Sequence, residues 1–138
     1  MSSKPQKLFK AKIIPMPGSK MAQSMLSGII AIPSNGQIDV IHTVNILYFK
    51  SESNYTHIYL EDGSHLIACI TLKMFDEHLK GGDFIRIHNQ YLVHGKYISS
   101  FMNGRNKLVL NKQHQIPVSR SRKTVLLDYL KSYMIQTS

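Results

Sequence analysis

A mainly β fold of antiparallel sheets carrying two short α-helices is what this sequence predicts. Apolar runs of a few residues recur at short intervals, and the gaps between them hold turn residues such as Asn35-Gly36, Asp62-Gly63, Asn103-Gly104 and Asn111-Lys112. Helical spacing of apolar residues shows in only two places. The 138 residues are 43% hydrophobic and 18% charged, enough for one domain to bury a core and too apolar for a disordered chain. A single cysteine, Cys69, excludes a disulfide scaffold and any Cys-based zinc module, and fits a reducing, cytoplasmic setting.

Taken in order, residues 1 to 26 read as a basic, flexible N-terminal arm, and residues 27 to 138 as the domain. Strands are expected at 28–32, 37–41, 46–50 and 54–60, the first pair closed by Pro33-Ser34-Asn35-Gly36. In 54–60, Tyr55, His57 and Tyr59 share one face, while Thr56, Ile58 and Leu60 share the other, so the strand is expected inside a sheet, with Tyr55 in the core. Residues 65–70 complete a hairpin through Glu61-Asp62-Gly63-Ser64, and Cys69 there is expected to be a core thiol.

Thr71 caps a short helix whose Leu72, Phe75 and Leu79 form one apolar stripe, with Lys73–Glu77 and Asp76–Lys80 as outward pairs. Gly81-Gly82 ends it, because glycine enters the left-handed region without steric cost. Strands are expected again at 84–88, 91–93, 97–102, 107–110 and 115–118. A second helix is expected over about 121–135, with Val125, Leu126, Tyr129, Leu130, Tyr133 and Met134 as its packing stripe.

Charge is unevenly spread. Residues 26–83 carry three lysines against seven acids, whereas residues 84–138 carry nine bases against Asp128 alone. With five lysines in the arm, the total reaches +9, so the last third is the surface for a polyanion. Arg120, Arg122 and Lys123 crowd the start of the second helix, where cations oppose the macrodipole. A phosphate bound by the free N–H groups and these side chains would answer them.

No stretch approaches the ~18 apolar residues of a membrane span. The seven histidines match no metal-ligand spacing, His88-Asn89 lacks an HNH-type metal frame, and no P-loop, GxSxG or paired carboxylates occur. No enzyme activity, catalytic residue, metal or cofactor is therefore expected.

Three segments go beyond composition: Asn54-Tyr55-Thr56-His57-Ile58-Tyr59-Leu60, Phe84-Ile85-Arg86-Ile87-His88-Asn89-Gln90-Tyr91-Leu92-Val93, and Ile116-Pro117-Val118-Ser119-Arg120. In this order, with Thr71-Leu72 opening a helix between the first two, residues 28–135 closely resemble the LytTR family of bacterial DNA-binding domains. The Phe-x-Arg-x-His block followed by Pro-Val-Ser-Arg carries most of the specificity. The resemblance implies elongated, packed antiparallel sheets. It also implies a transcriptional regulator whose loops read successive major grooves of duplex DNA and bend it, bound as a homodimer on repeated half-sites. Many such domains follow a phosphoacceptor receiver; the residues before Gly28 are too few for one, which makes a stand-alone regulator the expectation.

Carried over residue by residue, the resemblance implies base contacts from Thr56 or His57 in the first loop, Asn89 in the second and Arg120 in the third. Asn54, His88, Gln90 and Ser119 flank them. The side-chain chemistry agrees: an arginine fork fits guanine O6 and N7, and an asparagine amide fits adenine N6 and N7. Lys50, Arg86, Lys96, Arg105, Arg122 and Lys123 suit phosphates, which position a protein without reading sequence. Arg86 also fits a solvated strand position, and His88 and Tyr91 fit the core. Asn89-Gln90 stands where the family usually has Arg-Ser, and His94 where it commonly has Asn, so a changed base preference is expected. The competing readings are a single-stranded nucleic acid or RNA-binding β module, which needs exposed aromatic platforms, and a polyanion-binding protein driven by the arm.

Overall fold

Turn chemistry sets the boundaries of most elements. A computed structural model describes residues 28–136; the expected arm over 1 to 26 lies outside them. Strands β1 (Ile29–Ser34) and β2 (Gln37–His42) form a two-stranded ribbon. Asn35 and Gly36 join them with φ of 45° and 80°, the double left-handed geometry that suits a two-residue hairpin. The turn is shorter than expected, because Pro33 and Ser34 still pair with Ile38 and Gln37.

The second sheet has five antiparallel strands in the order β5-β4-β3-β7-β6, built from β3 (Ile46–Glu52), β4 (Tyr55–Leu60), β5 (His65–Ala68), β6 (Phe84–His88) and β7 (Tyr91–His94). The third is β10-β9-β8, from β8 (Ile98–Met102), β9 (Lys107–Leu110) and β10 (His114–Pro117). Helix α1 (Leu72–His78) follows β5, and α2 (Lys123–Lys131) closes the described chain. Strand β4 lies inside its sheet, as its two-faced apolar pattern requires.

The five-stranded sheet is the middle layer, with a hydrophobic core on each face. On one side Phe49, Ile58, Leu60 and Leu92 pack with Ile30, Ile32 and Ile41 of the ribbon and Leu72 and Phe75 of α1. On the other, Leu47, Tyr48, Ile85, Ile87 and Val93 pack with Leu108, Leu110, Ile116, Val118 and Leu126. A register shift in β3 between Ile46 and Tyr48 lets the consecutive residues Leu47 and Tyr48 both join the second core, which simple alternation forbids. The elongated stack follows from this middle sheet being apolar on both faces.

Helix α1 starts as expected: the Thr71 hydroxyl accepts the Met74 N–H at 3.4 Å, and Gly81 ends the segment at φ 89°. Asp76, expected to face outward beside Lys80, instead reaches Arg86 at 3.4 Å. Cys69 is exposed, not core: the chain leaves the sheet after Ala68, and the Ile70 carbonyl accepts the Thr56 hydroxyl instead of a strand N–H. The C-terminal helix is shorter than its apolar stripe. A 3-10 turn occupies Arg120–Arg122, α2 ends at Lys131, and Val125, Tyr133 and Met134 are exposed because Leu126, Tyr129 and Leu130 alone meet the second core. Among the described residues, no helix is long and apolar enough to cross a membrane.

Candidate nucleic-acid interface

Alternation in β4 decides which residues of the first hairpin reach solvent. Thr56 does not: it is fully buried, and its hydroxyl donates to Ile70 O at 2.6 Å. Of the two residues expected to touch bases there, His57 is the one with its side chain partly exposed. Tyr55, expected in the core, is half exposed, because the covering third sheet does not extend over the hairpin tip. Ser53 turns the chain at φ 58°, and Asn54 beside it is exposed.

His57 is held at both ring nitrogens. Its Nε2–H donates to Glu52 Oε1 at 2.5 Å, and its Nδ1 lies 2.7 Å from His65 Nε2. The His65 ring stacks on Tyr59 with centroids 4.5 Å apart, and Tyr59 stacks on Tyr48 at the same separation. Burial, and then the neighbouring His57, push the His65 pKa below its ordinary value. This row of rings fixes the imidazole at the edge of the hairpin.

The second loop is the β6–β7 turn, where Asn89 and Gln90 are exposed. The Arg86 guanidinium is engaged within the protein. Its Nε donates to His88 O at 3.0 Å, one terminal nitrogen to Asn89 O at 2.6 Å, and the other to Asp76 Oδ2 at 3.4 Å. The guanidinium is mostly buried and braces the turn that presents Asn89. His88 is also a structural residue: its Nδ1 accepts the Gln90 N–H at 3.0 Å, and its ring meets Tyr91 edge-on.

The third loop runs from Val118 through the 3-10 turn, leaving Arg120 exposed and Ser119 half-buried. Backbone hydrogen bonds, not side chains, gather the loops. Ser51 N donates to Gln90 O at 2.9 Å, joining the first hairpin to the second turn. Ser119 N donates to Ile87 O at 2.9 Å, placing Arg120 beside the strand end that carries Asn89. Val118 N donates to Asn106 O at 2.9 Å, which adds the β8–β9 turn with its exposed Arg105. His57, Asn89 and Arg120, far apart in the chain, therefore occupy one end of the molecule.

The sequence pattern of the LytTr DNA-binding domain matches residues 36–131. The chain belongs to this family. It is 27% identical over 95 residues to the sensory transduction protein LytT of Bacillus subtilis strain 168, which covers 67% of this chain and 39% of that protein. The chain thus spans about two fifths of that curated relative. A solved LytTr DNA-binding domain from Bacillus cereus shares the fold with a TM-score of 0.63 at 17% identity, over 75% of this chain and 96% of the other.

Within this LytTr domain the expected cations separate into two groups. Lys50, Arg105, Arg122 and Lys123 lie at the loop end. Lys50 Nζ sits 5.8 Å from the Tyr91 ring centre and Lys123 Nζ 5.9 Å from that of Phe101. Lys96 does not join them: it follows β7 at the opposite end of the sheet, where Gly95 N donates to Asp83 O at 2.8 Å. His94 is buried there, with its Nδ1–H donating to Ile46 O at 2.9 Å, and burial pushes its pKa below the ordinary value. Sequence reasoning missed Glu52, because a lone acid near a turn looks solvated. Its pairing with His57 follows only from the hairpin register, which sets Glu52 opposite Tyr55. Among the described residues no cluster of His, Cys, Asp or Glu could hold a metal ion.

Proposed function

We propose that this LytTr domain binds duplex DNA sequence-specifically as a transcriptional regulator, with three loops entering successive major grooves of a duplex that bends toward it. The observation that carries this reading is the gathering of loops by Ser51–Gln90 and Ser119–Ile87 backbone bonds, which brings the first hairpin, the turn with Asn89 and the loop with Arg120 to one end. Arg120 pairs with guanine and Asn89 with adenine, each good pair giving ~1–3 kcal/mol of discrimination, while His57, with both ring nitrogens engaged by Glu52 and His65, shapes the tip of the first hairpin. Lys50, Arg105, Arg122 and Lys123 take phosphates. The 3-10 turn before α2 ties the Arg122 and Lys123 N–H groups to Ser119 O and Arg120 O, so these two residues offer phosphates their side chains and not their backbone. Two copies on repeated half-sites would double this footprint.

Band-shift titrations at several salt concentrations test the assignment. Arg120→Ala is expected to cost about 1–3 kcal/mol on the preferred site and to relax base choice at one position. Lys123→Ala is expected to weaken all sequences alike and to flatten the salt slope by about one unit. Equal loss on specific and random DNA for Arg120→Ala defeats its base-reading role. The exposed Tyr55 favours single-stranded binding as the second reading. Competition by single-stranded oligonucleotides at equal or better strength than duplex would decide for it.

A further inference from the structure

All eight acidic residues of the chain lie among the described residues, and their placement is selective. Asp39 is on the ribbon, Glu61 and Asp62 at the far turn of the β4–β5 hairpin, Asp76 and Glu77 on α1, Asp83 before β6, and Asp128 on α2. Glu52 alone stands on one of the three gathered loops, at the tip of the first hairpin, with its side chain 71% exposed. A carboxylate there opposes every phosphate the surrounding cations would attract. It weakens non-specific attraction, so its presence calls for a compensating contact.

The carboxylate is also held in position. Oε1 accepts the His57 Nε2–H, His57 is fixed in turn by His65, and His65 is stacked on Tyr59. Oε2 makes no hydrogen bond to the described protein, and an ionised carboxylate only accepts. The base edges of a duplex differ in what they offer such a group. In the major groove, guanine presents O6 and N7 and thymine presents O4, all acceptors. Cytosine N4 and adenine N6 present amino donors.

We infer that Glu52 is a specificity-determining residue that accepts a hydrogen bond from an exocyclic amino group, cytosine N4 or adenine N6, in the major groove met by the first hairpin. The inference rests on the proposal that the gathered loops face duplex DNA. Glu52 favours the amino-bearing base by attraction, and it rejects guanine and thymine by acceptor–acceptor repulsion. His57 and His65 position the carboxylate.

Selection of bound sites from random duplex DNA, by the wild type, Glu52→Gln and Glu52→Ala, tests this. Equilibrium binding to the selected site and to all its single-base variants then gives the preference at each position. The wild type is expected to disfavour guanine and thymine at one position by about 5- to 150-fold, and the separate cytosine and adenine arms identify the base read. Both variants are expected to lose that preference, keep the preferences elsewhere, and bind random duplex as tightly as the wild type or more so. Glutamine can still accept the His57 N–H, so a change in Glu52→Gln reports on the base and not on the imidazole's position. Retention of every base preference in either variant overturns the inference while leaving duplex recognition intact. A wild type that selects no sequence at all overturns the underlying proposal instead.

Discussion

Replacing Arg86 by alanine separates two roles that an arginine in a basic strand can have. Its guanidinium makes three contacts, to His88 O, Asn89 O and the Asp76 carboxylate, and it is only 17% exposed. Hydrogen bonds to charged groups contribute ~1.5–3 kcal/mol each, but here the Asn89 carbonyl is at the surface and water can replace the lost donor. The 3.4 Å contact to Asp76 is long, and that carboxylate is partly wet. Discounting both leaves about 2 kcal/mol for the whole set, or a fall in Tm of roughly 5–12 °C for a domain of this size. Because Arg86 orders the turn that presents Asn89, the variant is expected to lose affinity on the selected site more than on random duplex. With the Arg86 guanidinium taken up by these three partners, the slope of log K against log salt should stay unchanged. Thermal melts and band shifts at three or more salt concentrations provide both numbers. A slope reduced by about one unit with stability and sequence preference preserved would refute the bracing role and return Arg86 to the phosphate contacts expected from sequence.

Thr56→Val removes the hydroxyl bonded to Ile70 O while keeping the shape, so it should destabilise the domain by about 1–3 kcal/mol in urea melts and leave base preference unaltered; altered selection at constant stability would restore Thr56 as a contact residue. Gly95 is buried, and a Cβ there would sit 2.5 Å from Tyr129 Cζ, so Gly95→Ala should cost roughly 1–3 kcal/mol. That cost should vanish in a Tyr129→Ala background, and an undiminished cost would place the strain elsewhere. His94 and His65 both titrate below their ordinary 6.5 in the folded protein, mainly through burial. Below about pH 6.5 the unfolded chain binds protons that the folded one resists, so these two histidines lower stability as pH falls from there and contribute no slope well above it. Urea midpoints between pH 5 and 8 should show this, and His94→Asn should reduce the slope; an identical pH profile in the variant would remove His94 from the account.

Much of the β architecture was legible because it is local. Asn35-Gly36 and Gly81 mark turns through backbone sterics, and Thr71 marks a helix start through its hydroxyl, whereas the turn expected at Asn103-Gly104 is a 3-10 turn whose left-handed residue is Asn106. Errors arose where long-range contacts outvoted periodicity. The stripe of Val125, Tyr133 and Met134 runs past the core that could cover it, and Cys69 left its strand when Thr56 captured the Ile70 carbonyl. Tyr55 has the alternation of a core residue but sits where the covering sheet stops.

By itself the sequence determined the order of strands and helices, the basic final third and the residue types able to read bases, since each depends on neighbours within a few positions or on charge counts alone. Tertiary structure decided which of those residues meet. Ser51 reaches Gln90 and Ser119 reaches Ile87 across 39 and 32 positions by residue number, pairings that depend on how sheets stack and that no local pattern encodes. The same packing turned Arg86 inward as a brace, sent Lys96 to the far end of the sheet, and left Glu52 at the hairpin tip with His57 in its grasp.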